Sequence, residues 1–407
     1  MTKKPCILII GDAVATTGFA RVIYEIFVPL KEKFNLVQLG TNYFGDPHDW
    51  PWRIFPAGID QYALGAHRIK PLVASLQPDL VFMLQDPWAL VEYFKELSAF
   101  KSIPTVVYAS FNSGNIDTTL PPLLKQASYM AVYTQFAKKA LKEAIASHPK
   151  LSFPKIDVIP HGVDCETFKP LGENRSVSQK IARQAIYPVD NTLLQDGFIV
   201  LNANRNQPRK RIDLCMEGFG LFAKNKPEGV FLHLHMGLKD IGWDIKGLAR
   251  RYQLEDRLIY STDENQQPQV TDSMLNTIFN AASIGINTAS SEGWGLLSFE
   301  QAAAGLAQIV PAHSSGKELW NECAYLLPYD ITLVNPHSKI NEHIIKPASI
   351  AEVLEQAWGN SEELQKKEKQ CYLNAQRKAY RWYEISKYWE GIFNDQLEKK
   401  ELKKQNS

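Results

Sequence analysis

One pattern limits what this chain can fold into more than any other. Short, continuously apolar runs recur along it, each followed by a longer amphipathic stretch. The runs are CILII (6–10), FNLVQLG (34–40), DLVFML (79–84), TVVYAS (105–110), YMAVYT (129–134) and KIDVIP (155–160). A strand covered on both faces reads as a continuous apolar run, and joining parallel strands takes a connection long enough to hold a helix. The first part of the chain is therefore predicted to be doubly wound α/β. The pattern lapses over 169–197, a polar stretch with Pro and Gly at its edges, and a linker is expected there. It then restarts with FIVLNAN (198–204), VFLHLHM (230–236), RLIYST (257–262), SIGINTA (283–289) and AQIVPA (307–312). At 407 residues the chain exceeds what one core usually supports. Two α/β halves in tandem are expected.

Composition removes several classes of function. A net charge of +1 gives no overall attraction for nucleic acid or anionic membrane, and 45% hydrophobic with 22% charged residues is ordinary for a soluble globular protein. No apolar run reaches the ~20 residues of a membrane span. The opening MTKKPCILIIGDA has an apolar run shorter than the ~7–15 residues of a signal-peptide core, so it is read as a strand. Five scattered cysteines without a CxxC argue for reduced thiols in the cytoplasm and against a disulfide framework or zinc site. Beyond about residue 350 the charged runs ELQKKEKQ and QLEKKELKKQ read as solvated helix faces. Between them Trp382, Ile385, Trp389 and Phe393 form one aromatic stripe that needs a surface to pack against.

Three stretches carry candidate chemistry. SEGWGLLSFEQAAAG (291–305) follows an apolar run and reads as a glycine-containing turn leading into a helix. Free backbone N–H groups and the positive end of the helix dipole gather at such a turn, and a phosphate suits it. Glu292 in the turn and Glu300, about two turns into the helix, are placed to accept hydrogen bonds from hydroxyls. A capped, buried helix explains the same residues equally well. NANRNQPRKRIDL (202–214) puts Arg205 and Lys210 in a loop at the carboxyl edge of a sheet, where two cations can neutralise a diphosphate. Arg209 and Arg211 are expected to face solvent, and a nucleic-acid patch is the weaker reading because few aromatics are interleaved. GDAVATTGFARV (11–22) is a first βα turn that lacks GxGxxG, which counts against a dinucleotide oxidoreductase. Gly18 and its loop are long enough to fold over a ligand. His233 and His235 share one strand face without a visible third ligand, so packing is preferred to a metal. His161 is expected to be structural, His67 and His313 have no assignment, and DPHDWPW (46–52) reads as a surface loop or an acceptor-side lid.

Taken together these stretches resemble the retaining nucleotide-sugar glycosyltransferases of family 4, which have the GT-B architecture. SEGWGLLSFEQAAAG is similar to that family's glutamate-containing segment, NRNQPRKRIDL to its Arg…Lys segment without the glycines, VIPHGVD (158–164) to its Pro-Asn-Gly-Val-Asp turn, and YRWYEI to the helix that returns to the first half. The resemblance implies two Rossmann-like domains facing a central cleft, at 1–175 and 195–370, the first completed by a helix at about 375–400. It implies that Arg205 and Lys210 hold and stabilise the leaving diphosphate, that Glu292 bonds the donor sugar and that Glu300 bonds the ribose. The amides of Gly293, Trp294, Gly295, Leu296 and Leu297 would contact sugar and phosphate, with Gly18 approaching from the first half. No metal or cofactor is required: the substrate would be a UDP- or GDP-linked sugar, transferred with retention. Base recognition is expected from the 260–272 loop through its backbone. Many members have a first-half histidine near the reacting carbon; the matching regions here, MLQDPW (83–88) and YASFNSGN (108–115), have none. Asp86, Ser110 and Asn112 are the acceptor-side candidates, and the acceptor could be a glycan, a lipid-linked sugar, a small molecule or a modified nucleic-acid base. The missing histidine keeps a non-catalytic nucleotide-sugar-binding protein as the alternative.

Overall fold

A computed structural model describes residues 4–60, 64–116, 120–336 and 339–405. The chain forms two compact units. One comprises the residues up to Gly162 together with those from Ala379 onward, and the other is Val163–Lys378.

The first unit is built on a seven-stranded sheet: β1 (Cys6–Asp12), β2 (Asn35–Thr41), β3 (Arg53–Pro56), β4 (Leu80–Gln85), β5 (Thr105–Ala109), β6 (Tyr129–Val132) and β7 (Ile156–Val158). Their order is β3-β2-β1-β4-β5-β6-β7, with every neighbouring pair parallel. All side chains of β1, β4 and β5 are buried, as the continuous apolar runs require. The helix Trp382–Gln405 covers part of this sheet. Trp389 meets the rings of Phe82 (5.3 Å) and Tyr108 (4.9 Å), while Phe393 stacks on Phe27 at 5.5 Å. The aromatic stripe read from the sequence thus has its surface.

The second unit repeats the plan with β8 (Phe198–Asn202), β9 (Val230–Leu234), β10 (Leu258–Tyr260), β11 (Ile284–Ile286), β12 (Gln308–Pro311) and β13 (Tyr325–Leu327), in the order β10-β9-β8-β11-β12-β13, again all parallel. Strand order reverses between β1 and β4 in one sheet and between β8 and β11 in the other. Open α/β sheets bind ligands at the carboxyl ends of strands beside such a reversal.

Two departures from expectation stand out beside the unforeseen strands β3 and β13. Residues 169–197 are not a linker. They contain the helices Arg175–Ile186 and Thr192–Asp196 and belong to the second unit. Their polar side chains act as fasteners: Asn174 accepts from the Val177 amide at 3.0 Å, and Arg183 donates to the carbonyls of Ala281 (2.8 Å) and Gln195 (2.9 Å). Asn280 donates to the Lys169 carbonyl at 3.0 Å. Polarity here reflects backbone bonding, which composition does not distinguish from solvation. The other departure is an antiparallel hairpin, β14 (Tyr329–Val334) with β15 (Asn341–Ile345), and every residue of β14 is exposed.

Candidate functional site

The SEGWG turn lies directly beyond β11, next to the strand-order reversal of the second sheet, and its position is set by backbone contacts to the 209–211 segment. The Ser290 amide donates to the Arg209 carbonyl at 2.7 Å, and the Thr288 hydroxyl donates to the carbonyls of Lys210 (3.0 Å) and Arg211 (3.2 Å). Asn287 accepts from the Ala289 amide at 3.0 Å and tightens the turn. Gly295 has φ +87°, a left-handed conformation that glycine adopts without strain. It opens the helix Leu296–Ala303, whose N-terminus carries no side-chain cap. Its first amides therefore lack the usual side-chain acceptor.

Lys210 and Glu292, 82 positions apart, are brought together. The Lys210 ammonium Nζ donates to Glu292 Oε2, with both side chains largely buried. Arg209 Nη1 stands 3.9 Å from the same oxygen and donates to the Ser291 carbonyl at 3.2 Å. Asn287 Nδ2 lies 3.4 Å from Glu292 Oε2, and the Ser315 hydroxyl donates to the Glu292 carbonyl at 2.6 Å. Burial alone would raise the Glu292 carboxyl, but the charges of Lys210 and Arg209 outweigh it and hold the carboxyl down to about 2. Burial, with help from Arg209, lowers Lys210 to about 8 against the opposing pull of Glu292. Near neutral pH the site thus holds an ionised carboxylate between two cations, beside the positive end of a helix.

The remaining expected residues are distributed differently. Arg205 forms a bidentate pair with Asp240, Nε to Oδ2 at 2.6 Å and Nη2 to Oδ1 at 3.1 Å. Arg209, expected in solvent, is the arginine at Glu292, whereas Arg211 pairs with its neighbour Asp213. Glu300 is buried and is the fifth residue of its helix, one turn in rather than two. The Trp294 indole is core, stacked on Phe299 at 4.9 Å. In the 260–272 loop the carbonyls of Glu264 and Asn265 already accept from the amides of Leu238 (2.9 Å) and Asp240 (2.7 Å).

In the first unit, Gly18 opens the helix Gly18–Phe27, capped by Thr17. Asp86 precedes the helix Pro87–Leu97 at the end of β4, Ser110 is buried just beyond β5, and Asn112 is half-buried two residues on. The sequence reading missed Asp12 at the end of β1. Its carboxylate accepts from the hydroxyls of Thr17 (2.7 Å) and Thr41 (2.6 Å) and from the amides of Asn42 (2.9 Å) and Gln85 (3.2 Å). The carboxylate thereby ties three strand ends to a helix cap at the order reversal, and the Gly-Asp ending of CILIIGD was its signal. His161 is buried against Tyr108 and Tyr133, and His233 bonds Tyr187 and Ser261, both in packing roles. His313 is buried with its ring 4.6 Å from that of His343 in β15. In the 46–52 loop Trp52 is buried, and its indole N–H donates to Gln38 at 2.9 Å. No group of side chains among the described residues is arranged to hold a metal, and no described helix is long and apolar enough to cross a membrane.

No family model matches the chain. Mannosylfructose-phosphate synthase of Agrobacterium fabrum is 26% identical over 165 residues, which is 39% of this chain and 33% of the relative, so the match spans about a third of that protein's length. Among solved structures, Anabaena HepE in complex with UDP and glucose aligns over 96% of this chain and 100% of its own, with TM-score 0.69 and 15% identity. Sucrose-phosphate synthase from Thermosynechococcus elongatus aligns over 97% and 99%, with TM-score 0.71 and 16% identity. Trehalose 6-phosphate synthase from Burkholderia multivorans aligns over 100% of both chains, with TM-score 0.66 and 15% identity. At these identities the likeness establishes the fold: two parallel-sheet, Rossmann-like domains shared with GT-B glycosyltransferases.

Proposed function

We propose that this protein is a glycosyltransferase that moves a sugar from a nucleotide-diphosphate donor to an acceptor hydroxyl with retention at the anomeric carbon. The observation that carries the reading is the Lys210–Glu292 pair set against an uncapped helix N-terminus at the reversal point of the second sheet. Two kinds of group that a nucleotide sugar needs stand together there, cations with amides for the diphosphate and a carboxylate for sugar hydroxyls. UDP is the favoured nucleotide, since HepE was crystallised with UDP and glucose. Lys210 and the amides of residues 293–297 stabilise the diphosphate as the bond from anomeric carbon to phosphate oxygen breaks. Glu292 orients the sugar and Glu300 takes the ribose. The acceptor oxygen bonds the same face of the carbon and passes its proton to the departing phosphate oxygen, so no protein base and no metal are needed. Gly18 is carried in this proposal as a donor-binding residue, and Asp86, Ser110 and Asn112 as acceptor-side candidates. A cytoplasmic location belongs to this proposal and suits the five free thiols.

A panel of UDP-, GDP- and ADP-sugars, with release of the nucleotide measured by chromatography, tests the activity. Turnover of one donor supports it. Tight nucleotide binding with no turnover on any acceptor would instead favour a carrier or sensor. The charge state of Lys210 adds a pH signature. Its ammonium is the form that attracts phosphate, and it loses its proton near pH 8 in the free protein. Calorimetry should find UDP affinity level below that pH and falling as pH rises through about 8. An affinity unchanged through that range would remove Lys210 from the diphosphate site.

A further inference from the structure

The sequence pointed to Arg205 as the arginine that joins Lys210 on the diphosphate. The geometry points to a different residue. Arg205 and Asp240 form a doubly hydrogen-bonded, charge-neutral pair. That pair is part of a loop fastening: Asn206 Nδ2 donates to the carbonyls of Gly237 (3.0 Å) and Trp243 (2.8 Å), and the Asp240 amide donates to the Asn265 carbonyl at 2.7 Å. Arg209 is placed otherwise. Its backbone is pinned to the SEGWG turn by Ser290, and its guanidinium reaches Ser291 and Glu292. Arg209 and Lys210 share one carboxylate, so two positive charges against one negative leave one positive charge over. The Arg209 side chain is 34% exposed and the Lys210 side chain 9%. The uncompensated charge is therefore presented to solvent by the guanidinium, in the planar form suited to two phosphate oxygens.

We infer that Arg209 is a donor-binding residue, meeting the diphosphate of the nucleotide sugar together with Lys210, and that Arg205 fastens loops. The inference rests on the donor site proposed above and adds a residue to it. As the diphosphate takes Lys210, Arg209 remains next to Glu292 and keeps that carboxylate ionised for the sugar.

The test is calorimetry on the full chain with UDP and with uridine, which has the base and ribose but no phosphate. GDP and ADP, each with its nucleoside, run alongside. Arg209→Ala should weaken binding of the nucleotide about tenfold or more, as expected for losing a charge-assisted hydrogen bond. It should leave the nucleoside within about twofold, and Arg209→Lys should recover part of the loss. Arg205→Ala should shift nucleotide affinity by less than about threefold. Thermal melts verify that each variant is folded. An Arg209→Ala protein that binds the nucleotide as wild type does, or that loses nucleotide and nucleoside equally, overturns the inference. So does a larger loss from Arg205→Ala. A wild-type protein that binds none of the three nucleotides overturns the donor site itself, a result distinct from the others.

Discussion

Replacing Lys210 with alanine should slow sugar transfer by roughly two to three orders of magnitude, the usual effect of removing one preorganised group that stabilises charge as it develops. The size follows from where the ammonium sits. It is almost fully buried, held in place by its bond to Glu292, and its carbonyl is fixed by Thr288, so it needs little rearrangement to meet a leaving phosphate. Removing one partner of a buried ion pair can cost ~3–5 kcal/mol of stability. Here Arg209 and Asn287 still face Glu292, at 3.9 and 3.4 Å, so the loss should be smaller and the protein should stay folded. Glu292→Gln makes the argument sharper, because its two readouts should move in opposite directions. Transfer should fall, since the sugar loses an ionised partner. UDP affinity should rise several-fold, since Lys210 and Arg209 are freed from a competing anion. Steady-state rates combined with calorimetry decide the matter. Wild-type rates in Lys210→Ala, or UDP binding weakened in Glu292→Gln, would mean that the pair is structural.

Trp389→Ala should destabilise the first unit by ~3–5 kcal/mol, the range for emptying a large buried aromatic site. The indole is fully buried between the helix Trp382–Gln405 and the sheet residues Phe82 and Tyr108, with Phe393 stacked beside it at 5.8 Å. Trp389→Phe should cost much less. It keeps an aromatic surface and also removes an indole N–H that is buried without a hydrogen-bond partner. Urea denaturation followed by fluorescence and by circular dichroism should show the change in one transition, because two units with separate cores need not unfold as one. Equal melting of wild type and Trp389→Ala would refute the packing argument.

The sequence was most informative where burial is two-sided. Runs such as CILII and DLVFML are apolar because both sheet faces are covered, and β1 and β4 lie where those runs do. It was least informative where strands are short or wet. RIFP is a four-residue edge strand, half-exposed, and β14 is exposed throughout, so neither carries a continuous apolar run. The Tyr-Asp-Ile-Thr-Leu alternation of β14 was readable in retrospect as a period of two. The 169–197 segment misled for the opposite reason, since its buried Arg183 and its helix-capping Asn174 and Asn191 bond to backbone. At the candidate site the residue types were legible and their pairing was not. Glu292 and Lys210 stood out by motif. Which arginine of NRNQPRKR stands next to Glu292 depends on how residues 209–211 run along residues 288–290, a register set by hydrogen bonds between segments about eighty residues apart.

The interrupted first unit has a consequence for synthesis. Its sheet is finished by residue 158, yet the helix that covers Phe82 and Tyr108 begins only at Trp382. A ribosome adding ~5–20 residues per second needs on the order of tens of seconds to cross that interval. Throughout it Phe82 and Tyr108 lack the Trp389 ring that packs on them, while the second unit, uninterrupted in sequence, emerges and can close its own core. A segment made after the whole second unit therefore completes the domain that was started before it. Termination soon after the second unit would release a chain with one finished fold and one sheet lacking its Trp382–Gln405 helix, a natural substrate for chaperones and proteases.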